Sequence, residues 1–484
     1  MKINKSIIAC AVVLALGTQQ TAFAAEDVKD GSSVQINKDM MIDAVGNVII
    51  LSQTSATGAV YGNDVFLAQE GDSNGISASV DGDANETEII QVGANNIAIS
   101  ASVGDSNSQA IIQDGDSNEA QTTITGGENT VEVSQAGDGY LGYGNAAVNT
   151  ISGDGNEISM EQGDGGQWSL NRNMEGSGNS LSTTQSGQWN ETYFDNVMGD
   201  DNEIEVDQDG FWNVINVTTI DGTENEIDFE QEGDRNKITV AEVTGDANDI
   251  SVDQEGDYNE VVSNVFMGDD NEVNLMQNGD YNVSTFDVIG DQNDFTVIQN
   301  GSENTSYVGA LGGDNEFTVT QTGDFNESHL VNFNGYENEV DVIQTGDENV
   351  AVIQASADDN SLYSDANNIE LTQAGDMNDA VVNMSTILDS SFNTVDIAQN
   401  GDLNALDILI EGSNNVIDIA QSGNENLVTG ANGDAMLIGG AGIELSISQI
   451  GNGNLVEGSL ISFGGGNVSI SQVGDWNSAT IIQQ

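Results

Sequence analysis

Carboxylates are the reactive groups this sequence supplies in quantity. There are 80 Asp and Glu against 7 Lys and Arg, a formal net charge of −73 at pH 7. Paired carboxylates can do acid–base work of the glycosidase kind, and hard cations such as calcium prefer oxygen ligands. Here, however, the acids recur at regular intervals: Glu203, Glu205 and Asp207 are followed by Glu226, Asp228 and Glu230, then by Asp249 and Asp253. An active site should interrupt a lattice rather than repeat with it, so no enzyme activity is expected. His329 is the sole histidine, expected outward on a strand, and Cys10 the sole cysteine. No nucleophile elbow, phosphate loop or His-based metal motif is present, and no loop has EF-hand spacing or the calcium-binding β-roll nonapeptide. The expectation is a solvated, salt-dependent acidic face with no resident cofactor or metal; loosely bound calcium is the alternative. Nucleic acid is excluded as a partner, because phosphate binding requires clustered Lys and Arg.

A second group of side chains shares one position in five successive repeats: Trp189, Trp212, Arg235, Tyr258 and Tyr281, with Phe325 and Trp476 further on. Stacked in register they would line up as an aromatic strip with one guanidinium as a cation–π neighbour. Two roles are open to it, a docking strip for glycan or another fibril, and packing along the edge of the fold; packing is the expectation.

What positions these groups is a repeat. Eighteen glutamines, from Gln69, Gln91 and Gln113 to Gln421, Gln449 and Gln472, mostly follow one another at 22 or 23 residues. Glycine stands two residues after the glutamine in seventeen copies, with Asp164 departing. Asparagine stands five after it in sixteen, with Tyr140 and Gln167 departing, and six before it in sixteen, with Ile443 and Gly466 departing. Such a period marks an array whose units bury their core only against each other.

In the unit from Asn202 to Thr219, side chains alternate faces as in strands. Asn202, Ile204, Val206 and Gln208 share one face, and Asn213, Ile215, Val217 and Thr219 form a second inward set. Gln-x-Gly-Asp-x-Asn turns close one end (Gly233-Asp234, Gly256-Asp257) and Gly-x-x-Asn turns the other (Gly245 to Asn248, Gly268 to Asn271). Glycine permits positive φ, and Asp or Asn can bond its own turn. The fold class is therefore all-β: a β-solenoid of about 18 stacked strand–turn–strand repeats, forming two facing parallel sheets.

One rung per repeat puts identical amides about 4.8 Å apart along the axis, in Asn and Gln ladders that satisfy buried polar groups. The residues expected to build them are Asn202, Gln208, Gly210 and Asn213; Asn225, Gln231, Gly233 and Asn236; Asn248, Gln254, Gly256 and Asn259; and Asn271, Gln277, Gly279 and Asn282. Like charges at that spacing in water repel by about 0.9 kcal/mol, so lower pH or added calcium should promote assembly.

Residues 1–24 read as a secretory signal: Lys2 and Lys5, an apolar run from Ile7 to Leu16, and Ala22-Phe23-Ala24 as cleavage site. Residues 25–52 lack a clean repeat and are expected to be a leader and N-terminal cap, with the solenoid over 53–484. No other stretch is long and apolar enough to span a bilayer, and the absence of proline fits a continuous ladder. Where the spacing stretches to 27, 29, 26 and 28 residues, the extra residues are expected to bulge from turns around Tyr140–Asn145, Ser356–Ser364 and Gly430–Gly442.

The pattern resembles the curlin repeat of curli amyloid subunits, whose unit runs Ser-x5-Gln-x-Gly-x-x-Asn-x5-Gln. The segment Gln472-Val-Gly-Asp-Trp-Asn477-Ser-Ala-Thr-Ile-Ile-Gln483 matches from the first glutamine to the last. The resemblance covers about residues 63–484. It implies a secreted structural subunit of extracellular fibres on the bacterial surface, used for biofilm matrix and adhesion. Its partners would be further copies of itself, a nucleator subunit and an outer-membrane export pore. Asparagine usually replaces the family's first serine, and its second glutamine is mostly replaced, as by Thr219, Glu242, Val265, Val288 and Ala310. Residues 25–52 hold no obvious copy of the family's Gly/Asn-rich targeting leader. A monomeric, acidic, cation-binding solenoid adhesin at the cell surface is the alternative function; an ice-binding solenoid is disfavoured by outer faces that are acidic rather than Thr-rich.

Overall fold

Alternating burial along each segment of the computed structural model follows the alternation of the sequence. Asn202, Ile204, Val206 and Gln208 are each at most 1 % exposed, while the acids between them face solvent. The structure describes residues 33–36, 46–55, 62–137, 144–195, 197–221, 223–265, 267–331, 333–355, 362–462 and 464–483. The proposed signal, residues 1–24, lies outside them, as do most of the extra residues around 140 and 356.

The chain is an all-β parallel β-solenoid of about 18 turns. Its helical content among the described residues is one 3-10 turn, Ala431–Gly433. It forms two compact units, Met1–Asn236 with Ala241–Val243, and Lys237–Val240 with Thr244–Gln484. In the first unit, Glu86–Val92 pairs in parallel with Ser108–Asp114, and that strand with Thr130–Ala136. The intervening strands Gly75–Asp81, Ile97–Val103 and Glu119–Thr125 pair in the same way on the opposite side. The second unit repeats the plan, with Asp249–Glu255, Glu272–Asn278, Asp294–Asn300 and Glu316–Thr322 in one sheet. Glu260–Val265, Val283–Asp287 and Thr305–Gly309 lie in its other sheet. Register is residue for residue across one repeat, as in Gln277↔Gln299 and Gln299↔Gln321. The side chains between the sheets are Ile, Val and Leu, with Phe295, Phe317 and Phe333 in contact at ring separations of 5.3 and 4.8 Å.

Both turn edges use one backbone device. Gly256 has φ +110 and Tyr258, just before Asn259, has φ +61; at the other edge Gly245 has φ +113 and Ala247, just before Asn248, φ +57. At Gly256 a Cβ would also stand 2.3 Å from the carbonyl oxygen of Gly279 one rung on. Glycine is thus required twice over, by conformation and by the closeness of the next layer.

Three expectations need correction. Thr219 does not point inward: it adopts φ +68 and is half-exposed, while Ile220 is 0 % exposed. Glu242, at φ +69, precedes the fully buried Val243 in the same manner. The twenty-third residue of a long repeat is absorbed as such a bulge, and similar register shifts interrupt the pairing between Asn171 and Met174 and between Ser263 and Val265. The extra residues at 430–442 are not all a turn, since Met436–Ala441 is a strand paired with Ile408–Ser413. The ladder also begins ahead of residue 53: Ser33–Ile36 pairs with the strand from Asp64, and Val48–Thr54 with Gly75–Asp81.

Candidate functional site

The glutamines are held at the end of each inward strand face, buried, where the amide of the next rung is a recurrent partner. In the first unit Nε2 of each donates to Oε1 of the next, from Gln69 through Gln91, Gln113, Gln135, Gln162, Gln185 and Gln208 to Gln231, at 2.7–2.9 Å. In the second unit the same bond links Gln254, Gln277, Gln299, Gln321 and Gln344 at 2.8–2.9 Å, and reaches Gln472 from Gln449 at 3.0 Å.

The asparagines run the opposite way. Oδ1 of Asn259 accepts from the backbone N–H and Nδ2 of Asn282 in the following rung, at 3.0 and 3.1 Å, and Asn282 Nδ2 also donates to the Gly301 carbonyl at 2.9 Å. Asn248 serves Asn271 alike, at 3.1 and 2.9 Å. In the first unit Asn202 Oδ1 accepts from Asn225 at 3.0 Å, Asn236 N–H donates to Asn213 Oδ1 at 2.9 Å, and Asn213 Nδ2 donates to the Gly233 carbonyl at 2.8 Å. Gly210 and Gly279 fill the close-approach positions, each with a Cβ position 2.0–2.1 Å from the next rung's carbonyl oxygen. Where Tyr140 breaks the pattern, Asn145 supplies the amide, accepting from Gln167 N–H at 3.1 Å. Gln167 then does the asparagine's work, accepting from Asn190 N–H at 2.9 Å.

The outward acids stack as columns. Glu203, Glu205 and Asp207 stand opposite Glu226, Asp228 and Glu230 in the first unit. In the second, Asp249, Glu272, Asp294, Glu316 and Glu339 form one unbroken column. Partial burial, and after it the neighbouring carboxylates, raise the pKa of Asp207, Asp228, Asp294 and Glu316. The outermost carboxylates also bond within the edge: Asp257 N–H donates to Asp280 Oδ1 at 3.0 Å, and Asp324 N–H to Asp347 Oδ1 at 2.9 Å. Among the described residues no three of His, Cys, Asp and Glu converge as a metal cluster. His329 faces outward beside Glu327, 2.5 Å away.

The aromatic positions are resolved within each unit. In the first, the Arg235 guanidinium lies over the Trp212 ring at 5.3 Å, and Trp189 packs over Gly166. In the second, Tyr258 and Tyr281 stack with centroids 4.8 Å apart and planes 6° from parallel. Trp212, Tyr258 and Tyr281 remain 37–52 % exposed. Every one of these residues is in the left-handed region, φ +60 to +64, which their types did not suggest.

Six stretches of the chain, residues 176–210, 199–233, 222–256, 268–301, 293–323 and 335–363, match the curlin associated repeat. These repeats support membership of the curlin-repeat family. No curated protein matches the chain. The match 199–233 embraces the strands Glu203–Phe211, Val214–Thr218 and nearly all of Glu226–Asp234. The unit recognised in curlin sequences is therefore one rung with the strand that covers it. Curlin repeats point to a curli-type fibre subunit, a structural role rather than an enzymatic one. Among the described residues no helix is long and apolar enough to cross a membrane.

Proposed function

We propose that this curlin-repeat protein is a secreted structural subunit of curli-like extracellular amyloid fibres, serving biofilm matrix and surface adhesion on a bacterial cell. It assembles by adding rung onto rung. The observation that carries this reading is the self-complementarity of the ladders: every layer donates through Gln Nε2 and accepts through Asn Oδ1 in the direction of the next, so a second copy can continue what the first begins. The rung Gly466–Val473 offers such a surface. Its inward Val468 and Ile470 are half-exposed, whereas Leu445 and Ile447 one layer below are 2 % and 1 % exposed.

On this reading residues 1–24 direct export, further copies of the chain are the main partner, and a nucleating subunit and outer-membrane pore complete the pathway. Calcium acts as a loosely held counter-ion of the acid columns. Fibre diffraction and electron microscopy of the purified protein without residues 1–24 test the proposal. Fibres with a reflection at about 4.7–4.8 Å along the axis support it. A monodisperse, non-fibrillar species across concentration, pH and calcium would replace it with the monomeric acidic adhesin.

A further inference from the structure

In the first unit the turn edge opens into a cleft of about 430 Å³, lined by Ser117, Glu119, Gly144, Ala146, Gly166, Trp168, Trp189 and Glu191, with the backbone of Asn145 and Gln167. Its position follows from small residues in two adjacent columns. On the outer sheet face Glu119, Ala146, Trp168 and Glu191 stand in successive rungs, so Ala146 leaves a gap between a carboxylate and an indole. Beside them run Gly144, Gly166 and Trp189. A side chain at Gly144 would strike the Ser117 carbonyl at 2.0 Å, and one at Gly166 would press on the Trp189 indole at 3.3 Å. The floor is therefore bare backbone because it cannot be otherwise.

The walls are chemically one-sided. Trp168 is 45 % exposed, and Trp189 presents its ring over Gly166. Glu119 and Glu191 flank the opening, and Tyr193 Oη donates to Glu191 Oε2 at 2.8 Å, which fixes that carboxylate. The floor amides are spent in the ladder, Asn145 accepting from Gln167 and Gln167 from Asn190. Among the described residues none that lines the cleft is basic. A site of π faces and carboxylates, in a chain of net charge −73, selects a ligand that brings positive charge and N–H donors together. A neutral sugar would need donors as well as acceptors. The same edge already shows the contact in miniature, where Arg235 lies over Trp212.

We propose that this cleft binds a small organic ammonium ion of the linear diamine class, one ammonium held by Glu191 against the indoles of Trp168 and Trp189 and the other reaching across Ala146 towards Glu119, three rungs from Glu191. The inference is independent of fibre formation. It is tested on the full chain in its unassembled state, with 1,4-diaminobutane as probe, calorimetry for stoichiometry and tryptophan fluorescence for site. One equivalent should bind with quenching. Trp168→Ala, and separately Ala146→Leu, which fills the gap while keeping every acid, should each weaken binding at least tenfold with the circular dichroism spectrum unchanged. Glu203→Gln, in a remote acid column, should leave that binding unaltered. Binding of many equivalents, indifferent to Trp168 and Ala146, would reduce the effect to counter-ion condensation and overturn the proposal. So would tighter binding of methyl β-glucoside than of the diamine.

Discussion

Gln208 donates from Nε2 to Oε1 of Gln231 at 2.8 Å, across 23 residues of chain and with both side chains buried. The contact exists only if the two repeats are adjacent layers in register. It is also directional, because one amide gives and the other receives. A buried amide deprived of its partner retains its full desolvation cost. Gln277→Leu should therefore take from Gln254 Nε2 its short acceptor and from Gln299 Oε1 one of two donors, the other being Ser284 Oγ at 3.0 Å, and lower stability by on the order of 2 kcal/mol in urea unfolding. A loss below about 0.5 kcal/mol would mean the ladder adds little.

Two residues of one turn should respond with opposite signs. Gly323 has φ +118, and its Cβ position lies 2.2 Å from the Gly346 carbonyl, so Gly323→Ala should disrupt the rung. Phe325 sits at φ +60 with its ring 51 % exposed. Phe325→Gly relieves the left-handed conformation and should be neutral or stabilising by up to about 1 kcal/mol. Thermal melts of the two variants decide the matter, and equal destabilisation would contradict the turn geometry.

Asn171 is 0 % exposed, and neither its Nδ2 nor its Oδ1 has a hydrogen-bond partner among the described residues; Asn149 Oδ1 in the adjacent rung shares that state. Asn171→Leu keeps the volume and removes the unsatisfied groups. It should raise the unfolding midpoint, worth about 1–2 kcal/mol. A lower midpoint would show that the amide is satisfied in solution.

Stability should increase as the medium is acidified from neutrality. Burial first, then Glu272, raises the pKa of Asp294; burial, then Asp294, Glu339 and Asp341, raises that of Glu316. A carboxyl with a higher pKa folded than unfolded binds more protons in the folded state. Its penalty is fully present at neutral pH, is relieved as pH falls through the raised value, and changes no further below the ordinary carboxyl range. Urea midpoints between pH 7 and 4 should rise, and Glu316→Gln should flatten the profile. A midpoint falling across that interval would refute the repulsive column.

The layered fold was legible because period and side-chain type carry it. A polar amide recurring at 22 or 23 residues beside inward Ile and Val is what stacked rungs require, and a globular core imposes no such period. Conformation was less so. Nothing in the types of Thr219 or Glu242 announces a left-handed bulge, since the twenty-third residue is visible as a count but not as a place. Met436–Ala441 was hidden because glycine at 439 and 440 reads as turn, although in a strand it serves close stacking. The cleft is illegible for a related reason. It is made by what Gly144, Ala146 and Gly166 lack, and only the pairing of Ala146 with Trp168 shows which walls the gap acquires.

Cross-layer cysteine pairing tests the layered register most directly. Glu88 and Ala110 are outward partners in neighbouring rungs, 22 residues apart, at the roughly 4.8 Å of adjacent strands, within reach of a disulfide. In a Cys10→Ser background, Glu88→Cys with Ala110→Cys should form an intrachain disulfide rapidly and completely under mild oxidation. Glu88→Cys with Ile112→Cys, displaced by two residues to about 8 Å, should not. Equal yields from the two pairs, or preference for the displaced one, would contradict one rung per repeat.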